Sequence, residues 1–589
     1  MADMSFDAVV VGGGHHATII ANYLQNAGLE TGVFERLQEV GGGACGDELP
    51  APAFLQNPCA HFTRMFGHPA YHDFNLRKFG LHYVFPEGNE AMVFPDETCF
   101  VGYTAFPVVD PETGREEFSN ENFKKTYDEI ARFSKRDADM YEWITERYEK
   151  SWRMAFRKYR YSPPTPWGVP NPLEELFTDD KYGFDPVWHY MNGIQVARDL
   201  FESTEMRLLF MRAIATSSGS FPVDAMGVYQ VVHMLGLVLS MESASIVSGG
   251  THAITHSLQR SFSSMGGQFF VESEVDKVLL DGDRAVGVKL VNGAEIEARK
   301  MVVSDLGVPQ TMLRMLRDTK LADRLVHRIK NIDYDRAQIF WGNVALHELP
   351  DYKAKSFNPD LGEQPRLYMG PKDEDYLSYN YMSEIFMQGF PSPGKMFLLA
   401  APDSIWDKNR APEGKHTILL EEFAAPLRFF SEREWLKMKR EIVDHMLKDW
   451  QIYAPNMTWD NVIAHNIQTP LDVSYRHPDM KEGGWAEGAM MLSMHDRFRP
   501  VPEIANYRIP DVKNMYICSS NLHSCGGIGR GSSYNCFKKI VEDFNLPKIW
   551  EEKGREYERR MWNSECGMRN WGEKGNSEVG RWKEEREYK

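Results

Sequence analysis

Residues 6–35 read FDAVVVGGGHHATIIANYLQNAGLETGVFE, and this stretch decides the predicted fold. The apolar run 6–11 precedes three glycines, apolar residues at helical spacing, and a second apolar run, Thr31–Phe34. That order of strand, glycine turn, helix and strand is typical of the opening of a parallel α/β sheet. Gly28 stands where a helix C-cap is expected. The stretch therefore predicts an α/β fold.

The glycines form a dinucleotide-binding pattern, Gly12-Gly13-Gly14-x-x-Ala17. Gly12 permits the tight turn, and Gly14 lets backbone amides approach a pyrophosphate at the helix N-terminus. The last position must be small so that helix and strand can pack, and Ala17 meets this need. Glu35 ends the second strand, where an acidic side chain can accept hydrogen bonds from a ribose. Together these features predict a Rossmann-type dinucleotide site.

A second glycine-rich turn follows almost at once, since residues 40–46 read VGGGACG. Two glycine turns so close together indicate that the backbone approaches a large, extended ligand twice, the second time around Gly42 and Gly43. FAD suits this arrangement better than NAD, because its isoalloxazine must lie further along the same face. We therefore expect FAD as the cofactor.

Two later segments extend the predicted sheet. Residues 251–265 have a helical pattern, and 269–303 read as strands separated by Asp-Gly and Asn-Gly hairpin turns, which predicts an antiparallel meander. Residues 515–544 predict a strand, a glycine-rich turn and a helix.

The spacing of these pieces predicts two domains and a tail. The predicted FAD-binding domain is Rossmann-type and discontinuous, and comprises 1–70, 246–335 and 490–547. A second, α+β substrate domain is formed by two insertions, 71–245 and 336–489. The tail, 548–589, is charged and contains several tryptophans. Two interpretations of this tail are open. It could be a docked helix followed by solvated chain, or it could be an arm that binds a partner.

Composition excludes several classes of function. The chain has 67 Lys+Arg against 84 Asp+Glu, a net charge of −17, which argues against nucleic acid as a partner. Its 7 cysteines include no CxxC pair, and no cysteine or histidine pair at ligand spacing was identified, so we expect no metal. The absence of a G-x-S-x-G elbow argues against a serine hydrolase.

The chain also lacks the layout of a signal peptide and any uncharged apolar stretch of 18 residues. These observations predict a cytoplasmic protein, and leave open a peripheral contact with a membrane surface. A homo-oligomer is also left open.

Three segments resemble the phytoene desaturase-like flavoproteins of the wider amine-oxidase-type FAD superfamily. Residues 7–49 match the N-terminal motif, residues 247–290 (VSGGTHAITHSLQRSFSSMGGQFFVESEVDKVLLDGDRAVGVKL) match the glycine turn, helix and hairpin, and residues 515–540 (MYICSSNLHSCGGIGRGSSYNCFKKI) match the C-terminal flavin motif. The three lie in the family's order and frame almost the whole chain.

The resemblance implies which residues contact the cofactor. Val275 would offer backbone contacts to the adenine. The other implied contacts are Gly12, Gly13, Gly14, Ala17, Glu35, Arg36, Gly42, Gly43, Gly526, Gly527 and Ile528. The chain departs from the family at Gly43, where arginine is frequent, and at Ser524 and Cys525, where proline and glycine are common. The pyrophosphate contact at Gly43 must therefore come from backbone or from another side chain.

By the same resemblance the protein would be an FAD-dependent oxidoreductase, a desaturase or dehydrogenase. It would transfer a hydride to flavin from an apolar small-molecule substrate, isoprenoid or cyclic. The electron acceptor is left open among oxygen, quinone and another protein. The alternatives are a redox-neutral isomerase of a polyene, a flavin amine oxidase, and a flavin-bearing partner protein.

Two residues beside the expected flavin position are candidates for catalysis. His523 could donate or accept a proton, or act as a hydrogen-bonded structural group. Cys525 could be a redox thiol or a flavin attachment point, although a small buried hydrophobe is the commoner role of a lone cysteine.

Overall fold

A computed structural model describes residues 2–524 and 526–552, apart from the side chains of Ala215 and Ser218. Its strands are β1 (Met4–Val11), β2 (Thr31–Phe34), β3 (Tyr83–Val84), β4 (Gly88–Val93), β5 (Cys99–Tyr103), β6 (Val108–Asp110), β7 (Arg115–Glu116), β8 (Ile246–Val247), β9 (Gln268–Phe270), β10 (Val275–Asp281), β11 (Arg284–Leu290), β12 (Glu295–Ser304), β13 (Ile339–Leu346), β14 (Arg366–Met369), β15 (Leu398–Ala401), β16 (His416–Phe423), β17 (Val462–Gln468) and β18 (Met515–Ile517).

The α-helices lie between and around these strands. They are α1 (His15–Asn26), α2 (Pro69–Asp73), α3 (Asn120–Ala131), α4 (Lys135–Arg147), α5 (Arg153–Arg160), α6 (Gly193–Leu200), α7 (Thr204–Ser218), α8 (Gly227–Val238), α9 (His252–Ser264), α10 (Asp323–Lys330), α11 (Tyr381–Gln388), α12 (Glu432–Tyr453), α13 (Pro470–Arg476) and α14 (Ser532–Phe544). A π-helical turn, Tyr148–Trp152, joins α4 to α5.

The first sheet collects strands from three distant parts of the chain. Its order is β10-β11-β12-β1-β2-β9, and β18 adds to β12. β1 pairs in parallel with both β2 and β12, while β10, β11 and β12 form the antiparallel meander. β12 pairs with β11 through its first three residues and with β18 through its last three. The predicted α/β fold class is confirmed.

Helix α1 ends as the sequence predicts and is buried along most of its length. Ala27 is the C-cap, and Gly28 follows in the left-handed region with φ +83°, which a side chain would strain. α1 packs between α9 and α14, against the same sheet. The turn that precedes α1 is therefore held firmly at the edge of the sheet, where β1 ends.

The second sheet is built from both predicted insertions. Its order is β17-β13-β16-β15-β14-β4-β5, and it is antiparallel except for the β14–β4 pair. β4 and β5 come from the first insertion, and the other five strands come from the second. Helix α3 packs on β5, and α12 packs on β17. The exact domain boundaries stay a prediction.

Within residues 2–524 and 526–552, no helix is both long enough and apolar enough to cross a bilayer. The most apolar helix, α8, has 12 residues and is almost wholly buried. At the start of the predicted tail, Trp550 packs edge-on against Phe537 of α14. The predictions for the tail beyond residue 552 lie outside the described residues.

Candidate functional site

A long cavity opens where β1, β2 and β12 end, and we call it the Gly12 cavity. Most of the cofactor contacts expected from the sequence line it: Gly12, Gly13, Gly14, Glu35, Arg36, Gly42, Gly43, Val275, Gly527 and Ile528. Ala17 lies behind the turn, fully buried in α1, as its packing role requires. Gly526 lines a neighbouring cavity instead. The tertiary structure thus brings three distant motifs to one place.

The two glycine turns contact each other directly. Gly41 N–H donates to Gly13 O over 2.9 Å, and a Cβ added at Gly42 would lie 3.1 Å from Gly14 Cα. Gly12 has φ +95°, a conformation that favours glycine. This close approach leaves backbone, and not side chains, facing the cavity. It suits a diphosphate, which needs backbone N–H groups near a helix N-terminus.

Glu35 is buried against the first glycine turn. Gly13 N–H donates to Glu35 Oε2 over 2.6 Å, and Leu37 N–H donates to Oε1 over 2.8 Å. Burial raises the pKa of Glu35, and these two hydrogen bonds act in the opposite direction. A carboxylate can accept about four hydrogen bonds, so acceptor positions remain for ribose hydroxyls. This geometry fits the role expected for Glu35.

Four further carboxyl groups line the Gly12 cavity and were missed from the sequence. They are Glu274, Asp305, Asp479 and Glu487. Burial raises the pKa of the last three, and repulsion from neighbouring carboxylates adds to the effect. Asp305 Oδ2 accepts from Ala17 N–H over 2.9 Å and so caps α1. The one available signal was the position of Asp305, directly after β12.

The same cavity is lined by three side chains that can donate hydrogen bonds: Arg36, Arg314 and His477. Arg36 additionally donates to Arg476 O over 3.1 Å. Gly43 replaces the arginine frequent in the family, so among the described residues Arg36 and Arg314 are the guanidinium groups that line this cavity and could contact a diphosphate. Arg314 also forms an ion pair with Glu274.

The C-terminal motif is divided between cavity wall and core. Gly527, with φ +108°, and Ile528 line the Gly12 cavity. His523 is only 1% exposed, its Nε2 lies 3.0 Å from Tyr159 O, and burial lowers its pKa. It lines neither the Gly12 cavity nor its neighbour. This placement favours a structural role for His523. Cys525 lies outside the described residues.

The neighbouring cavity, which we call the Arg160 cavity, adjoins the first. Both are lined by Cys59, Ala60, Trp341, Trp485, Gly527 and Ile528. Beyond this shared wall, both insertions contribute, with Leu237 from the first and Leu399 from the second. His61 and Glu421 face each other across 3.3 Å in the same cavity. An extended ligand in the Gly12 cavity would thus end beside a second space.

The charged residues of the Arg160 cavity were not anticipated from the sequence. Arginines outnumber carboxylates in its lining: Arg64, Arg160, Arg366 and Arg530 against Glu242 and Glu421. They are spread over four separate parts of the chain, so no local motif signals them.

One premise of the sequence analysis is corrected by the structure. His252 and His256 lie four residues apart on α9, which is ligand spacing, and Glu39 joins them with all three candidate ligand atoms within 4.8 Å. His252 Nε2 is, however, 2.8 Å from Val40 O and is engaged there. The expectation that the chain binds no metal stays a prediction.

No protein-family model matches the chain, but several proteins are similar to it in sequence. Pyridine nucleotide-disulfide oxidoreductase domain-containing protein 2 of Rattus norvegicus is 27% identical over 91% of this chain and 94% of its own length. One of the limonene dehydrogenase subunits of Castellaniella defragrans is 22% identical, covering 93% and 96%. A neurosporene-forming phytoene desaturase of Rhodobacter capsulatus is 26% identical over 35% of this chain and 38% of its own length.

Solved structures share the fold. An oxidoreductase from Methanosarcina mazei superposes with a TM-score of 0.55 at 14% identity, over 92% of this chain and all of that one. A putrescine oxidase variant gives 0.54 at 13% identity, over 92% and 99%. Relatives and fold together imply a flavin cofactor. Over nearly its whole length the chain is thus similar in sequence to oxidoreductases that include a limonene dehydrogenase subunit, and it shares the fold of putrescine oxidase.

Proposed function

We propose that the protein is an FAD-dependent dehydrogenase or desaturase that takes a hydride from a carbon atom of a largely apolar substrate. The observation that carries this proposal is the shared wall of the two cavities. A dinucleotide held by the glycine turns would extend to that wall, and a substrate in the Arg160 cavity would meet it there.

Residues of the Gly12 cavity would hold FAD. Glu35 would bind the adenosine ribose, the backbone of Gly12–Gly14 with Arg36 or Arg314 would bind the diphosphate, and Val275 would lie beside the adenine. When bound, FAD supplies the two-electron acceptor for the hydride. The electrons must then pass to an external acceptor, for which oxygen, a quinone and a partner protein are the chemical options.

Apolar side chains supply the surface against which the reacting carbon would lie. Trp341, Trp485 and Ile528 belong to the shared wall, and Leu237 and Leu399 lie deeper in the Arg160 cavity. Hydride transfer needs close and fixed geometry, which such an enclosing wall can impose while excluding water. The names of two relatives, limonene dehydrogenase and phytoene desaturase, are consistent with an apolar substrate.

A desaturation also releases a proton from the carbon next to the one that loses the hydride. Glu421 is 3% exposed, lies on β16 and faces His61 at 3.3 Å inside the Arg160 cavity. We therefore assign to Glu421 the acceptance of that proton, with His61 orienting its carboxylate. The loss of one hydride and one proton leaves a new carbon–carbon double bond, which balances the reaction.

Amine oxidation is the less favoured alternative. The putrescine oxidase structures are similar in fold, but a protonated amine in the Arg160 cavity would face four arginines. A redox-neutral isomerisation uses the same cavities and is separated from dehydrogenation only by the need for an acceptor.

The test begins with the purified protein loaded with FAD. We expect bound flavin with absorbance near about 450 nm, and its anaerobic bleaching by a monocyclic terpene or a polyene but not by a primary amine. Protein that takes up no FAD contradicts the proposal. Bleaching by amines alone would favour the amine oxidase, and product formation without bleaching or acceptor would favour the isomerase.

A further inference from the structure

Arg160 stands out among the arginines of the Arg160 cavity because it is buried without an ion pair. It ends α5, is 7% exposed, and makes no ion pair with any carboxylate of the described residues. Its Nε has no hydrogen-bond partner among them, and its guanidinium lies 4.5 Å from the centre of the Phe156 ring. A buried charge is costly unless it is paired.

Arg160 lines the cavity and influences other residues of the lining. Its positive charge lowers the pKa of His233, after the larger effect of burial, and it also lowers the pKa of Glu242. Both of these residues line the Arg160 cavity. Arg160 therefore lies close enough to this space to bind a ligand within it.

The other three arginines of the lining differ from Arg160 in the partners of their guanidinium groups. Arg64 pairs with Glu116 at 2.7 Å and with Glu242 at 3.3 Å, so it is neutralised. Arg366 is in ion-pair contact with Glu90 and lies over the Phe62 ring. Arg530 donates to two neutral groups, Tyr229 Oη at 2.9 Å and His233 Nε2 at 3.2 Å.

The net charge of the Arg160 cavity beyond the shared wall is therefore positive. Burial raises the pKa of Glu90 to about 7, so this carboxyl offsets Arg366 only in part near neutral pH. Burial also holds the pKa of His233 well below its ordinary value, with the charge of Arg530 adding to the effect, so this histidine adds no charge of its own. The cavity combines an apolar end at Trp341 and Trp485 with a cationic end at Arg160.

We propose that the substrate is amphipathic and carries an anionic group, a carboxylate or a phosphate, that binds Arg160 at the cationic end of this cavity. Its apolar part would then lie against the shared wall, where the hydride leaves. This inference rests on the proposed function and narrows its substrate class. Arginine suits this role because its planar fork matches the oxygen atoms of either anion.

Calorimetric titration of the purified, FAD-loaded protein tests the proposal with four ligands that share one decyl chain. Decanoate and decyl phosphate carry the anion, 1-decanol is neutral, and decylamine is cationic. We expect the better of the two anions to bind roughly ten- to a hundredfold more tightly than 1-decanol, the range for hydrogen bonds to a charged group. Which of the two binds better distinguishes carboxylate from phosphate. Decylamine should bind most weakly.

Variants then assign the preference to one residue. Arg160→Gln should remove most of the preference for the anion over 1-decanol, and Arg160→Lys should retain part of it. Arg433→Gln is the matched control, because Arg433 is exposed on α12 and lines neither cavity. If Arg160→Gln does not fold, the ligand series on the unchanged protein decides the question alone.

Equal binding of anions and 1-decanol, or tightest binding of decylamine, would overturn the proposal. So would an anion preference that survives Arg160→Gln unchanged. Calorimetry does not depend on turnover, so these results are separate from the flavin test. If a neutral terpene bleaches the flavin but the protein binds anions no more tightly than 1-decanol, the proposed function stands and the proposal of an anionic substrate is wrong.

Discussion

Gly13 and Glu35 are joined by a short hydrogen bond, from the Gly13 backbone N–H to Glu35 Oε2 at 2.6 Å. The bond links the turn after β1 to the end of β2, and a Cβ at Gly13 would lie 3.0 Å from the same carboxylate oxygen. Glu35 therefore shapes the glycine turn as well as facing the ligand. This double role makes it the most informative residue of the Gly12 cavity.

Replacing Glu35 with alanine should weaken FAD binding roughly ten- to a hundredfold, because a hydrogen bond to a charged group contributes about 1.5–3 kcal/mol. Titration of the apoprotein with FAD measures the change. Glu35→Gln keeps the shape of the side chain and one hydrogen-bond acceptor. Its affinity for FAD should therefore be intermediate between those of the unchanged protein and Glu35→Ala. Circular dichroism should show the same helix content in all three. Unaltered affinity in Glu35→Ala would mean that the carboxylate does not bind the ribose.

Gly14→Ala should damage the same site through packing. The new Cβ would lie 2.6 Å from Asp305 Oδ2, which is itself held by Ala17 N–H, so the cap of α1 must shift. Overpacking of this kind costs about 1–3 kcal/mol. Thermal unfolding should show a lower Tm. Gly67→Ala is the matched control, since its Cβ would meet no atom within 4 Å. An equal loss of Tm in both variants would refute the explanation.

Glu421→Gln tests the proposed proton acceptor. The amide keeps the size of the side chain but cannot take up a proton, so the rate constant of flavin reduction should fall by about 10²–10⁴. FAD affinity should not change, because Glu421 lies outside the Gly12 cavity. Anaerobic stopped-flow spectroscopy measures the rate constant. The control is Glu413→Gln, at an exposed position on the preceding turn, whose rate constant should equal that of the unchanged protein. If Glu421→Gln has the same rate constant as this control, Glu421 is not the proton acceptor.

The binding of decanoate should strengthen as pH falls from about 8 to about 6. The pKa of Glu90 is raised to about 7 by burial, although Arg366, Tyr368 and His61 oppose the shift. Glu90 is therefore ionised above pH 7, where it offsets the charge of Arg366, and neutral below it. Decanoate itself stays ionised throughout, because carboxyl groups titrate near pH 4. Calorimetry at both pH values should show a severalfold difference.

Glu90→Gln should remove this dependence on pH and bind decanoate at pH 8 about as tightly as the unchanged protein does at pH 6. The amide is neutral at every pH, so Arg366 is never offset. A pH dependence that persists in Glu90→Gln would assign the titration to another group of the cavity.

The sequence by itself determined the local architecture of the first sheet. β2 has the bounds expected from its apolar run, α1 ends beside Gly28, and the hairpins turn at Gly282 and Gly293, both with positive φ. Each of these features depends on a few adjacent residues, so periodicity and turn chemistry are sufficient to predict it. The glycine turns and Glu35 are local in the same sense.

Only the tertiary structure decided the chemistry of the two cavities. Glu487 and the arginines around Arg160 come from separate segments of the chain, and no pattern in any one segment marks them. His523 shows the converse, since its motif suggested the flavin but packing turned its ring toward Tyr159 O. Burial, charge balance and pKa depend on which distant side chains contact each other, and only long-range packing determines those contacts.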